Sequence, residues 1–202
     1  MFSGYRLIFW GIFFISFHIN LGNLQLLPNF IGWAMIAGGV GRLRNRQPSE
    51  SFHKASILAF IAVIYSIITF LTEFAGSQAL DFNPYLLFTM MFISIVELLT
   101  EYFIIKGSAE YLYNCGNIEF ADDLAGRFRN YLIIDILLLI AVLISFTLYS
   151  PAITIFAIFG LLLRIWFLMI IHGLKKFYMD EDLEQELEQD RYISGDADNE
   201  KQ

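Results

Sequence analysis

The sequence predicts an all-α polytopic membrane bundle of six transmembrane helices, and three observations predict it. Composition is the first: 57% of the 202 residues are hydrophobic and 16% are charged, where a soluble domain carries about 25% charged residues. The second is the recurrence of apolar stretches near the roughly 20 residues that a hydrocarbon core of about 30 Å requires of a helix. The third is that basic residues fall in every second connection between those stretches. Hydrocarbon offers no partner to an open N–H or C=O, so segments that cross it must close their own hydrogen bonds as helices.

The spans are expected at residues 5–22, 27–41, 55–75, 85–105, 131–149 and 152–171. The first carries no small-residue cleavage motif, so it is expected to remain as the first span. The first two are short and read as a hairpin, with Gly22 suited to the position past a helix end and Pro28 to a first turn. A re-entrant hairpin that does not fully cross is the alternative. Arg42, Arg44, Arg46 and Lys54 occupy one connection, Lys106, Arg127 and Arg129 another, and Lys175 and Lys176 follow the last span. The intervening loops, 23–26, 76–84 and 150–151, hold no Lys or Arg. By the positive-inside rule both termini face the cytoplasm. Tyr5, Tyr85, Tyr131 and Tyr149, near span ends, suit interfacial belts.

Residues 1–178 thus form a membrane domain with a cytoplasmic linker at 107–130, and 179–202 form an acidic tail. Phe120, Leu124, Phe128 and Tyr131 recur at helical spacing in the linker, predicting a short cytoplasmic amphipathic helix packed under the bundle or lying on lipid. The net charge of −7 belongs to the tail: Asp180 onward holds ten of the twenty acids and two of the thirteen bases. That segment is expected to begin as helix and to be disordered toward Gln202.

Several function classes are excluded by what is missing. No basic patch interleaved with aromatics appears, so nucleic acid is not an expected partner. Cys115 is the single cysteine, which excludes an intrachain disulfide and a multi-thiolate metal site. No nucleophile motif, phosphate-binding loop or His-Glu-x-x-His string is present, so no catalytic residue, metal or cofactor is expected. His18, Asn20 and Asn29 read as polar caps of the first hairpin, and His172 belongs to the opposite surface.

The string Leu27-Pro28-Asn29-Phe30-Ile31-Gly32, together with Ile105-Lys106-Gly107-Ser108-Ala109-Glu110 and Gly116-Asn117-Ile118-Glu119, resembles uncharacterised multi-pass membrane proteins of Gram-positive bacteria, in which a Leu-Pro-Asn/Asp-Phe-Ile-Gly motif opens the second span. These features touch most of the chain up to about Tyr131. The resemblance implies a bacterial plasma membrane and brings no catalytic residue with it.

Candidate functional residues come from the cost of charge in hydrocarbon, roughly 2.5 to 3.5 kcal/mol on insertion scales, which makes such groups face the interior and find partners. Glu97, Glu101, Asp135 and Arg164 qualify. At about 1.5 Å per residue, Glu97 and Arg164 both fall about 18 Å from the outer surface, Asp135 about 22 Å and Glu101 about 24 Å. One cluster is therefore possible, and Ser94, Glu97 and Glu101 share a helix face at i, i+3 and i+7. Three acids against one base could bind a proton or cation. A buried Arg164–Glu97 pair fixing helix register, with Glu101 and Asp135 snorkelling toward the interface, is the structural reading. The third span repeats the pattern: Ser66-Ile-Ile-Thr-Phe-Leu-Thr-Glu73 echoes Ser94-Ile-Val-Glu-Leu-Leu-Thr-Glu101, as an inverted repeat would. In the second span, Ala34 with Gly38 and Ala37 with Gly41 have the small-x-x-x-small spacing that lets a neighbouring helix approach, within the chain or in a second subunit.

Two functional expectations follow besides residence in the lipid bilayer. One is a small transport or ion-binding bundle using Glu97, Glu101, Asp135 and Arg164. The other is a non-catalytic membrane partner or regulatory protein, recognised at the cytoplasmic face through the linker and the acidic run. An intramembrane enzyme would rest only on the two carboxylates of one helix as acid and base.

Overall fold

The computed structural model of the chain describes residues 2–17, 20–21, 24–25, 28–74, 84–147 and 153–199. Six helices make up nearly all of it: α1 (Phe2–Ser16), α2 (Asn29–Arg46), α3 (Glu50–Phe74), α4 (Pro84–Asn114), α5 (Ile118–Thr147) and α6 (Ile153–Asn199). Each packs on the helix before it and the helix after it, and α6 returns to α1, so the six close a ring. Adjacent helices run antiparallel. Phe52 of α3 meets Gly107 of α4 while Tyr65 meets Phe92, and Phe120 of α5 stacks on Phe177 of α6 while Tyr131 reaches Trp166.

The ring closes at the α1–α6 seam, where Tyr5 and Tyr178 stack with centroids 5.0 Å apart and planes 3° from parallel. Ser108 gives its hydroxyl hydrogen to the Ile104 carbonyl, so the Tyr5 hydroxyl donates to Ser108 Oγ at 2.7 Å. Tyr5 and Tyr131, assigned to interfacial belts by their positions, are fully buried instead. Both sit among neighbouring helices, where an aromatic ring with one hydrogen-bonding tip fills volume and satisfies a polar group together.

Among the described residues, three helices are long and apolar enough to cross a membrane: α3 over Glu50–Thr72, α5 over Ile118–Ser145 and α6 over Thr154–Met179. That is fewer than the six expected, for identifiable reasons. The apolar helix α1 ends at Ser16, after 15 residues. In α2, Arg42, Arg44 and Arg46 crowd the last turns, leaving an apolar part about 20 Å long. The helix α4 is 31 residues long, and the side chains of its first turn lie outside the described residues. A wide apolar exterior does run across α3, α5 and α6, including Phe60, Ile68, Leu71, Leu137, Ile158 and Met169.

The first hairpin differs from expectation in how it turns. The helix does not continue to Gly22; Asn20–Leu21 instead pairs antiparallel with Leu24–Gln25. Pro28 stands just outside α2 in extended conformation, without a side-chain cap. Glycines set the closeness of this hairpin. A Cβ on Gly11 would lie 2.6 Å from the Gly32 carbonyl oxygen, and one on Gly39 would lie 2.7 Å from that of Gly4. Gly4 and Gly11 on α1 thus face Gly39 and Gly32 on α2, each pair one heptad apart. Within the chain, Ala34, Gly38 and Gly41 do not make this close contact, although Ala37 does pack against the core. Gly38 and Gly41 have nothing within 4 Å of a Cβ and Ala34 is exposed, while Ala37 is half-buried against the core. Several faces of α2 carry small residues, and the face opposite Gly4 and Gly11 is the one that packs.

No separate amphipathic helix forms in the linker. The helix α4 runs on to Asn114 and α5 begins at Ile118, with Gly116 at φ +81° between them. Asn117 N–H donates to the Leu112 carbonyl and Gly116 N–H to that of Tyr113, the double bond of a Schellman ending, which needs a left-handed residue at Gly116. The Tyr113 hydroxyl donates to the Asp122 carboxylate across this turn, and that bond raises the phenol above its ordinary pKa. The stripe itself packs as expected under the bundle, with Leu124, Phe128 and Tyr131 buried. The helix α6 runs into the tail as far as Asn199, as the Glu-, Gln- and Leu-rich run favours and as Gly195 opposes by only about 1 kcal/mol. His18 and the loops 76–83 and 148–152 lie outside the described residues, as do the side chains of Glu73, Tyr85 and the tail.

The glycine contacts predict opposite outcomes for two neighbouring substitutions. Gly39→Ala drives a methyl into backbone and is expected to cost about 1–3 kcal/mol, whereas Gly38→Ala should change stability by no more than about 1 kcal/mol. Thermal unfolding of the detergent-solubilised variants separates them, and equal melting temperatures would contradict the packing described.

Candidate functional site: a cavity floored by an arginine and carboxylates

Three helices bring the four ionisable residues to one level. On α4 the spacing of Glu97 and Glu101, one turn apart, points both carboxylates the same way. Arg164 of α6 spans them with its two terminal nitrogens: Nη2 lies 2.5 Å from Glu97 Oε2, and Nη1 donates to Glu101 Oε1 at 2.8 Å. The guanidinium is suited to this, because its planar fork presents parallel donors that a lysine ammonium lacks. From α5, the Tyr131 hydroxyl donates to the other Glu101 oxygen, Oε2, at 2.8 Å. Glu101 is 4% exposed, so both its oxygens are occupied and it does not snorkel.

Asp135, one turn beyond Tyr131 on α5, is placed differently. Its carboxylate lines a cavity beside Glu97 and Arg164, and among the described residues no hydrogen bond or ion pair engages it. The cluster therefore holds three carboxylates against one guanidinium, with the unengaged carboxylate turned toward open space.

That cavity has a volume of about 600 Å³ and is lined by all six helices. On α6 its lining runs from Ala157 to Arg164 and on α5 from Asp135 to Val142, a height of about 10 Å at 1.5 Å per residue. The charged cluster is its floor. Its walls mix aromatics, Trp33, Tyr65 and Phe70, with the hydroxyls of Ser66, Thr69 and Ser94. Toward the end where α1 stops and α2 starts, Ser16 and Asn29 line it, and Ser16 Oγ and Asn29 Oδ1 are buried with no hydrogen-bond partner among the described residues. Asn29 does not cap α2, whose N-cap position is Pro28. Below the floor the ring is filled by Tyr5, Phe52, Leu112, Ile171, Leu174 and Tyr178, so the cavity occupies one half of the bundle and solid packing the other.

The sequence placed Glu97, Glu101, Asp135 and Arg164 together, and the structure brings all four to one level. Ser66 and Thr69 of α3 and Ser94 and Glu97 of α4, the echoing strings, line the same cavity. Sequence reasoning missed Tyr131 and the aromatic wall. The spacing of Tyr131 and Asp135, i and i+4 on one face, is a signal that could have placed the tyrosine in the cluster.

Breaking a buried ion pair by removing one partner costs about 3–5 kcal/mol, because the other charge is left uncompensated. Arg164→Leu is accordingly expected to destabilise the bundle by about 3–5 kcal/mol, and Tyr131→Phe by about 1.5–3 kcal/mol as a hydrogen bond to a charged group is lost. Asp135→Asn should stay within about 0.5 kcal/mol, as at positions without a stabilising partner. Denaturant unfolding in mixed micelles reads the order, and Asp135→Asn proving as damaging as Arg164→Leu would contradict the assignment. No family model, curated protein or solved structure matches the chain, so the chemistry of the cavity is read from its own residues.

Proposed function

We propose that the protein is a multi-pass protein of the bacterial plasma membrane, with six spans and both termini in the cytoplasm, whose central cavity binds a small cation as part of transport across the bilayer. The observation that carries this reading is a cavity lined by all six helices with an excess of carboxylate at its floor. Asp135 is the residue assigned to the ligand, because Glu97 and Glu101 already hold Arg164. In a setting of low dielectric, an unengaged carboxylate is a strong attractor for positive charge. The aromatic rings of Trp33, Tyr65 and Phe70 suit the same sign of charge, since their faces are electron-rich. Topology is supported by Arg42, Arg44, Arg46, Lys106, Arg127, Lys175 and Lys176, which belong to the filled end of an antiparallel ring. Ligand would enter the cavity from the opposite, outer end. The reading assigns no catalytic residue and no cofactor.

A second reading is favoured by the length of α6, which carries the acidic run far beyond the bundle to Asn199. There the protein would serve as a non-catalytic partner for a protein at the cytoplasmic face. Truncation after Tyr178 separates the two, because cation binding should survive it and partner capture should not.

The leading reading is tested by tetramethylammonium titration of the protein in lipid nanodiscs, with Trp10→Phe and Trp166→Phe leaving Trp33 as the sole reporter. Saturable perturbation of Trp33 emission is expected, with Asp135→Asn weakening it by roughly tenfold or more, the equivalent of about 1.4 kcal/mol. Equal binding by the two proteins, or none by either, would overturn it.

A further inference from the structure

A second hollow lies on the outside of the ring, in the seam between α5 and α6. It has a volume of about 380 Å³, and its lining, which includes Ile134, Leu137, Ala141, Phe159 and Trp166, is apolar throughout. On both helices it occupies the same turns as the central cavity. Leu138 belongs to the lining of both. Opposite it stands Gly160, where a Cβ would lie 3.6 Å from Leu138 Cδ2. At this height the wall between an apolar groove facing lipid and a polar, acid-floored cavity is thus one leucine side chain packed against a residue with none.

Resting on the cation-binding reading above, we infer that the ligand is a cationic amphiphile drawn from the bilayer, its charged head in the central cavity beside Asp135 and its hydrocarbon chain in the α5–α6 groove, past Leu138. The two hollows are complementary to the two parts of such a molecule. The cavity has net negative charge, aromatic walls and room beyond what a bare ion fills. A desolvated metal ion is poorly served, since two of the three carboxylates are already held by Arg164. The groove offers nothing but hydrocarbon and aromatic surface, which favours a chain and excludes a head. Leucine is well suited to a movable wall, because a change of rotamer shifts its methyls without disturbing the helix, and Gly160 leaves the space into which they pass.

The test compares two probes with the same head, tetramethylammonium and dodecyltrimethylammonium, on full-length protein in phosphatidylcholine nanodiscs with Trp33 as reporter. The Trp10→Phe, Trp166→Phe protein, in which Phe keeps position 166 of the groove aromatic, stands as wild type for both variants. Ala141→Phe fills the groove and touches nothing of the cavity. It is expected to weaken dodecyltrimethylammonium binding roughly tenfold while leaving tetramethylammonium binding unchanged. Leu138→Ala, which thins the wall, is expected to speed the approach of the long-chain probe. If both variants bind both probes as wild type does, the lateral route is overturned and the cation site stands. If neither probe perturbs Trp33 in the wild type, the site itself falls, and this inference with it. A long-chain probe that binds no more tightly than its short homologue also overturns the inference, since the groove would then contribute nothing.

Discussion

The bundle is organised around one interaction, the guanidinium of Arg164 holding two carboxylates a helical turn apart on α4. A charge buried among helices must be paired, and the pairing fixes several things together. It sets the rotation of α4, because only one face carries Glu97 and Glu101. It sets the vertical register of α6 against α4, because Nη1 and Nη2 must meet one carboxylate each. Through the second oxygen of Glu101 it also sets α5, whose Tyr131 completes the shell. Interhelical polar contacts in bilayers are individually modest, about 0.6 kcal/mol on average, so what the cluster contributes most is register.

Register at that level decides what lies on either side of it. Toward the filled end, the ring tightens on Phe52 against Gly107, the Tyr5–Tyr178 stack and the glycine-to-glycine contacts of α1 and α2. Toward the other end a cavity opens among the same helices and reaches Ile15 and Ser16 at the end of α1. The short α1 is thus part of the site: Ile15 and Ser16 at its end line the cavity together with Asn29. Three carboxylates with a single arginine would be costly in a dry core, and an adjoining hollow is where the third, Asp135, finds an environment.

Much of this was legible in the sequence, for physical reasons. Charge in an apolar stretch is rare enough that Glu97, Glu101, Asp135 and Arg164 could be picked out singly, and the fixed rise of a helix put them at comparable depth. The stripe from Phe120 to Tyr131 was legible as a packing face from its period. Where helices end was less so. The charged residues from Gly107 to Asn130 resemble a connecting loop, yet helices readily leave a membrane as amphipathic extensions, and only Cys115, the left-handed Gly116 and Asn117 separate α4 from α5. Nor did spacing alone say which small residues of α2 make contact, since Ala34 and Gly38 obey the same rule as the residues that pack. The missing information lay in the partner: Gly4 and Gly11 repeat the seven-residue interval of Gly32 and Gly39. Tyrosines near span ends are ambiguous for a similar reason, because a ring with a polar tip serves an interface and a buried carboxylate equally well.

The central claim is that a water-reachable, negatively charged cavity lies inside the ring above the Arg164 cluster. Its most direct measurement is cysteine accessibility at Thr69, a cavity-lining position, with Thr69→Cys made in a Cys115→Ser background and intact cells treated with membrane-impermeant thiosulfonates. The account predicts labelling from outside the cell, faster with the cationic trimethylammonium reagent than with the anionic sulfonate. No labelling from outside, or faster labelling by the anion, would contradict it.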